Sequence, residues 1–140
     1  MSQQSINSEF IIQNALLAAK LAKKMGNSLS IHGVSLTEYL VMHYLDSAPH
    51  KAVSRIDLAD HVGMSASGIT RLLAPMEKNG LVEKEANPRD ARQSLVRLSK
   101  VGQRVLQEAR VSFSHIADGL TANLSQNQLA KMVELGARLI

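Results

Sequence analysis

A chain of 140 residues, 45% of them hydrophobic, is long enough for one domain with a real core; with 3% aromatics and no Trp, that core must be built from Leu, Ile, Val, Ala and Met, which favours packed helices over an aromatic-rich sheet. The absence of cysteine excludes a disulfide framework, a thiolate zinc site and a thiol redox switch, and it suits a reducing cytoplasm, the expected location. The net charge of +4 is concentrated: Lys51 to Arg104 holds ten Lys or Arg against six Asp or Glu, the signs balance elsewhere, and the excess that would attract a polyanion therefore sits mid-chain.

Met1 to Phe10 is polar, with no basic residue before Lys20, and does not read as a signal peptide. No apolar run approaches the ~20 residues of a membrane span, so no membrane partner is expected. A first helix is expected from about Ser8 to Ser28, where Phe10, Asn14, Leu17, Leu21 and Met25 recur at helical spacing beside Ile11, Ala15 and Ala18. Gly26 and Asn27 are its expected stop. A second helix begins at Ser35, whose S-x-x-E spacing with Glu38 makes a capping box, and runs to about Ser47 ahead of Pro49. Ser54 caps a short helix from about Arg55 to Val62, and Gly63 supplies a left-handed stop. Ser65 caps the next helix. Its Ile69, Leu72, Leu73 and Met76 follow the pattern of one buried face, and Asn79-Gly80 closes it. Pro75 removes a hydrogen bond to the Arg71 carbonyl and is expected to kink this helix.

Leu81 to Ala86 alternates loosely, and Leu95-Val96-Arg97-Leu98 is rich in strand formers. They flank Asn87-Pro88-Arg89-Asp90-Ala91-Arg92, a turn-forming basic tip, and together make a hairpin with a projecting loop. Ser99 caps a long helix through Val105, Leu106, Ala109, Phe113, Ile116 and Leu120. Ser125 and Gln128 form a second box before a last helix carrying Leu129, Met132, Val133, Leu135, Leu139 and Ile140. Met25, Met42, Met76 and Met132 fall on apolar stripes and are expected in the core. The expected fold class is mainly α with a small β-hairpin wing, in one domain over residues 1–140. A winged helix-turn-helix over about 35–100 is flanked by terminal dimerisation helices at about 8–30 and 100–140.

With its apolar residues inward, the helix after Ser65 turns Ser67, Thr70, Arg71 and Ala74 outward. Hydroxyls can bond phosphates or bases, Arg can grip guanine O6 and N7 together, and the backbone N–H groups from Ser65 to Gly68 can meet a phosphate. Ala66 and Gly68 cannot bond a base edge through a side chain, so direct readout falls on Ser67, Thr70 and Arg71. The first and last helices carry apolar stripes too wide for a core of this size to cover, and such a patch marks an interface, here a homodimer. The five histidines form no H-x-x-x-H, so no metal site is expected. No phosphate cradle or nucleophile elbow occurs either, so neither cofactor nor enzyme chemistry is expected.

The run from Val53 to Gly102 resembles the winged-helix core of the MarR family. Asp90-x-Arg92 followed by Val96-Arg97-Leu98-Ser99 and Gly102 is similar to that family's wing signature, and Glu77-Lys78-Asn79-Gly80-Leu81-Val82 is similar to its recognition-helix exit. The flanking helices match in position and length. The sequence departs from the pattern at Ala66, Gly68 and Pro75, and at Glu83-Lys84, where an Arg is usual. The resemblance implies a sequence-specific transcriptional regulator, expected to be a repressor, binding a palindromic operator in double-stranded DNA as a homodimer. Its contacts would come from Ser65, Ser67, Thr70 and Arg71 on the helix and from Arg89, Asp90 and Arg92 on the wing. Arg92 would enter the minor groove, oriented by Asp90. It also implies release by a small anionic aromatic or phenolic effector held between the DNA-binding lobe and the dimer helices. His32, Tyr39 and His43 are candidates there, Tyr39 and His43 sharing a helix face at i, i+4. A buried Tyr–His structural contact is the competing reading of that pair. An architectural DNA binder without sequence preference, or a winged helix that binds protein, are the alternatives for the whole chain.

Overall fold

The computed structural model describes residues 5–140; the first four residues of the polar stretch expected not to be a signal peptide lie outside the described residues. In order, the elements are α1 (Ile6–Leu29), a 3-10 turn (Ser30–His32), α2 (Leu36–Ser47), β1 (Ala52–Ser54), α3 (Arg55–Val62), α4 (Ala66–Lys78), β2 (Val82–Ala86), β3 (Ser94–Leu98), α5 (Lys100–Leu120) and α6 (Gln126–Gly136). None of these helices is long and apolar enough to cross a membrane.

Serine starts every α-helix. Ser5, Ser35, Ser54, Ser65, Ser99 and Ser125 each sit extended at the N-cap, and each hydroxyl accepts the backbone N–H three residues on, at 2.9 to 3.2 Å. A cap of this kind contributes about 1 kcal/mol by satisfying a donor the helix cannot. Glu38 and Gln128 complete capping boxes by accepting the N–H of Ser35 and Ser125.

The core draws on every layer of the winged helix. Tyr39, Val41, Met42 and Leu45 of α2 pack with Leu58 and Ala59 of α3, Ile69, Leu73 and Met76 of α4, Val82, Val96 and Leu98 of the sheet, and Leu106 and Ala109 of α5. From α1 only Met25 and Leu29 enter it. These two lie four residues apart on one face, and their burial carries α1 past Gly26 and Asn27, which do not stop it. The Ser30 N–H bonds the Gly26 carbonyl, the Ser30 hydroxyl donates to the Asn27 carbonyl at 2.8 Å, and the chain turns only at Gly33.

The wing is not a hairpin alone. β2 and β3 pair antiparallel from Val82↔Leu98 to Ala86↔Ser94, and β1 adds a third strand on the far side of β3, Ala52 opposite Arg97 and Ser54 opposite Leu95. A three-residue strand is too short to show a period of two, so sequence pattern misses it. Its last residue, Ser54, also caps α3, and the sheet is thereby joined directly to the helix-turn-helix. Two further differences lie at the C-terminal end. α6 stops at Gly136, short of Leu139 and Ile140, and none of its residues is buried, so Met132 is exposed rather than core.

Gly102 locks α5 onto the wing. A Cβ built there would lie 2.1 Å from the Leu81 carbonyl oxygen and 3.2 Å from Leu98. The same carbonyl accepts the Ser99 N–H at 3.1 Å and the Ser99 hydroxyl at 3.2 Å. The first turn of α5 therefore sits directly on the entry to β2, at a distance only glycine allows.

Candidate nucleic-acid interface

The turn between α3 and α4 is set by Gly63, at φ 70°, in the left-handed region that a residue with a Cβ adopts only under strain. The Met64 N–H reaches back to the Ala59 carbonyl at 2.9 Å. A second tie spans the outside of the pair: Arg55 Nη2 donates to Glu77 Oε1 at 2.9 Å, both side chains about a quarter exposed. It fixes the first residue of α3 against the last turn of α4. Glu77 thus has a positioning role that the sequence motif alone did not reveal.

So held, α4 buries Ile69, Leu73 and Met76 and exposes Ser67, Thr70, Arg71 and Ala74, as expected. Ser65 and Ser67 are partly committed to the helix itself. The Ser65 hydroxyl accepts the Gly68 N–H at 3.0 Å, and the two hydroxyls lie 3.3 Å apart. The helix runs through Pro75 to Lys78, and the Asn79 N–H bonds the Pro75 carbonyl at 2.9 Å.

At the wing tip two Asx-type contacts shape the loop. The Arg89 N–H bonds Asn87 Oδ1 at 2.9 Å, and the Arg92 N–H bonds Asp90 Oδ1 at 3.0 Å. Asp90 Oδ1 also accepts Arg92 Nε at 3.3 Å, while the Arg92 side chain remains 91% exposed. The carboxylate orients the guanidinium without covering it. Arg92 shares a shallow groove with Ser54, Arg55 and Ile56 at the start of α3. Arg97 is occupied differently: it lies on the sheet between Glu83 and Glu85, at 4.0 and 3.5 Å, and offsets part of the charge of these two carboxylates.

The residues expected to hold an effector are only partly together. Tyr39 and His43 do share a face, their rings stacked with centroids 6.4 Å apart, and Tyr39 stacks more closely on Phe113 of α5 at 4.5 Å. Tyr39 is buried and His43 is exposed. Burial pushes the Tyr39 hydroxyl above its ordinary range, and the charge and hydrogen bond of Arg110 pull it part of the way back. Arg110 Nη2 also reaches His43 Nδ1 at 3.5 Å and Asp46 Oδ2 at 3.0 Å. Burial acts to raise the Asp46 pKa, but hydrogen bonds and charges from Arg110 and Lys51 outweigh it and hold the carboxyl below its ordinary value. His32 stands apart, its Nε2 2.8 Å from the Ser112 hydroxyl. One turn further along α5, a groove of about 370 Å³ between α1 and α5 is lined by Lys24, Asn27, His115 and Ile116, none of them singled out by sequence as ligand contacts.

A short helix, a glycine turn, an exposed second helix and a three-stranded wing define a winged helix-turn-helix. The sequence model of the MarR family matches residues 32–93, which run from the 3-10 turn through the wing tip. Over those residues the chain is similar to that family. Among its relatives is YdgJ of Bacillus subtilis, described as an uncharacterised HTH-type transcriptional regulator, 26% identical over 87 residues. That match covers 62% of this chain and 53% of YdgJ, so the chain spans about half the length of that relative. The transcriptional repressor MprA of Escherichia coli is 21% identical over 89% of this chain and 70% of its own. The fold matches the crystal structure of a mutant MarR of E. coli complexed with operator DNA at a TM-score of 0.80, with 20% identity over 98% of this chain and 99% of that one.

Proposed function

We propose that this chain is a sequence-specific transcriptional repressor that binds a palindromic operator as a homodimer. The observation that carries the reading is the pairing of two free cationic and polar surfaces on one rigid frame. The exposed face of α4 presents Thr70 and Arg71, and the wing presents Arg92, oriented by Asp90 and open to solvent. A polar helix face suits a major groove, and an exposed Arg on a projecting loop suits the narrow, strongly negative minor groove beside it. Ser65 and the first backbone N–H groups of α4 suit a phosphate, and Arg89 adds charge at the tip. The relative solved on operator DNA has this fold, and MprA, by its name, is a repressor.

Support for dimerisation comes from what the single chain leaves uncovered. Ile6, Phe10, Ile11, Ile12, Leu16 and Leu17 of α1 are exposed, as are Met132, Val133 and Leu135 of α6. Large apolar side chains exposed along successive turns of one helix are the kind of surface that marks an interface. A twofold dimer would place two copies of α4 about 34–36 Å apart, one turn of DNA. For release by a small aromatic acid, support comes from Tyr39, His43 and Arg110, which put an aromatic face, an imidazole and a guanidinium within reach of one another beside α5.

The test is duplex binding at several salt concentrations, with an operator selected from random sequence. Strong preference over unrelated duplex, lost when five base pairs are inserted between half-sites, is the expected result. Equal affinity for all sequences would make the protein an architectural binder, and no salt-dependent retention of DNA would leave the winged helix as a protein-binding module.

A further inference from the structure

The exposed face of α4 is unusually bare. Between its first turn and Pro75 it presents Ala66, Ser67, Thr70, Arg71 and Ala74. Ala66 and Ala74 offer only a methyl group. The Ser67 hydroxyl is engaged with Ser65 at the helix start. Among the described residues Arg71 makes no ion pair, in contrast to Arg55, Arg92, Arg97 and Arg110, each held by at least one carboxylate. Arg71 is therefore the one long donor on this stretch of the face, flanked by small side chains, with Lys78 beyond it at the helix end.

Geometry limits what such a face can read. Ala66 to Ala74 spans eight residue steps, about 12 Å at the helical rise of 1.5 Å, or three to four base-pair steps of 3.4 Å. A guanidinium matches guanine O6 and N7 in a two-pronged bond that no other base edge in the major groove offers. A Thr or Ala methyl matches the C5 methyl of thymine, and small side chains on either side let the helix approach the groove floor closely enough for that contact. Resting on the DNA-binding reading above, we infer that each operator half-site carries a core of three or four base pairs with a single obligatory guanine, read by Arg71, next to thymines read through the methyl groups of Thr70 and Ala74. Arg71 is the specificity-determining residue, and the hydroxyls of Ser65 and Ser67 contribute positioning rather than choice of base.

The experiment is selection from a random duplex pool by the full-length protein and by Arg71→Ala and Arg71→Lys, both at an exposed position that leaves the core intact. The selected duplex is then remade with 7-deazaguanine at the enriched guanine, which lacks the N7 acceptor, or with uracil for thymine, which lacks the methyl group. The expected results are one invariant guanine per half-site and a loss of roughly 5- to 150-fold for Arg71→Ala on that duplex. Arg71→Ala should also be indifferent to 7-deazaguanine, and uracil at the neighbouring thymines should cost about fourfold each. Arg71→Lys should keep the salt dependence but lose the guanine preference, because an ammonium is a point charge without the fork. A guanine preference that survives Arg71→Ala would overturn the assignment and make Arg71 a phosphate contact, and one fully restored by lysine would overturn the two-pronged mode of reading. If the wild-type protein enriches nothing and retains no DNA at low salt, the DNA-binding reading itself fails, an outcome distinct from a selected site that Arg71 does not govern.

Discussion

Gly102→Ala tests the contact that joins the wing to the long helix. A Cβ there would lie 2.1 Å from the Leu81 carbonyl oxygen, where ordinary contact begins near 3.4 Å, so backbone must move by about 1 Å. The obstacle is a strand-entry carbonyl, not the end of a flexible side chain. Shifting it strains the two hydrogen bonds it accepts from Ser99, each contributing roughly 0.5–1.5 kcal/mol. Overpacking of a tight site costs about 1–3 kcal/mol in its own right. Against this, Ala is better than Gly in a helix by about 0.8–1 kcal/mol. The net is a destabilisation of roughly 1–3 kcal/mol, or a fall of several degrees in Tm for a domain of this size. Gly119→Ala, also in α5 but with open space around its Cβ, is the control and should raise Tm slightly. Thermal and urea unfolding, at one protein concentration for all variants because dimerisation makes Tm concentration-dependent, measures both. A Tm for Gly102→Ala at or above wild type would show that α5 can slide off β2 freely, and the clamp would have no energetic content.

Val133 is 74% exposed in the single chain, so Val133→Glu should change a monomer's stability by no more than about 0.5 kcal/mol. If α6 pairs two copies, sedimentation should instead show the variant shifted to monomer while the wild type stays dimeric. Arg92→Ala should weaken binding to the operator and to unrelated duplex by similar factors and lower the salt slope by about one, and unchanged affinities would mean that the wing does not touch DNA. Asp46 has a folded pKa below its ordinary 3.8, so its pairing with Arg110 and Lys51 stabilises the fold above that value and is lost as pH falls through the folded pKa. The Tm gap between wild type and Asp46→Asn should therefore be open at neutral pH and close below about pH 4, and a gap constant with pH would refute the linkage. A hydroxybenzoate acting at Tyr39 and His43 must bind the free protein more tightly than the DNA complex to release it, and equal affinity by calorimetry for both forms would end that proposal.

Most of the fold was legible because its signals are local. Five of the six serine caps, both capping boxes and the Gly63 turn lie within a few residues of the helix ends they set. Where a distant contact decides the outcome, local pattern misleads. Gly26-Asn27 reads as a stop, yet the burial of Met25 and Leu29 carries α1 onward. β1 is three residues long, and only its pairing with β3 makes it a strand. Met132 follows an apolar stripe, but a stripe says which face is apolar and not which molecule covers it.

The geometry of the candidate site was legible for the same reason and to the same limit. The outward face of α4 follows from helical period, and Asp90 and Arg92 are two residues apart, so their contact is nearly guaranteed by sequence. The parts that sequence missed are pairs remote in the chain. Arg55 and Glu77 are 22 residues apart, and Arg110 and Asp46 are 64 apart. These pairs tie the elements to one another: the first sets the angle between α3 and α4, and the second holds α2 against α5 beside Tyr39. Arg110 thus joins the helix that would form the dimer to the base of the DNA-binding lobe, and it touches both residues of the proposed effector pair. Any ligand that competes for its guanidinium must loosen Asp46, and through it the end of α2 that leads into β1 and α3. A coupling route of this kind requires that Asp46→Asn, which frees Arg110 without removing it, alter ligand affinity as well as DNA affinity. If it changes neither, the effector site and the DNA-binding face are energetically independent, and release would have to act through the dimer interface instead.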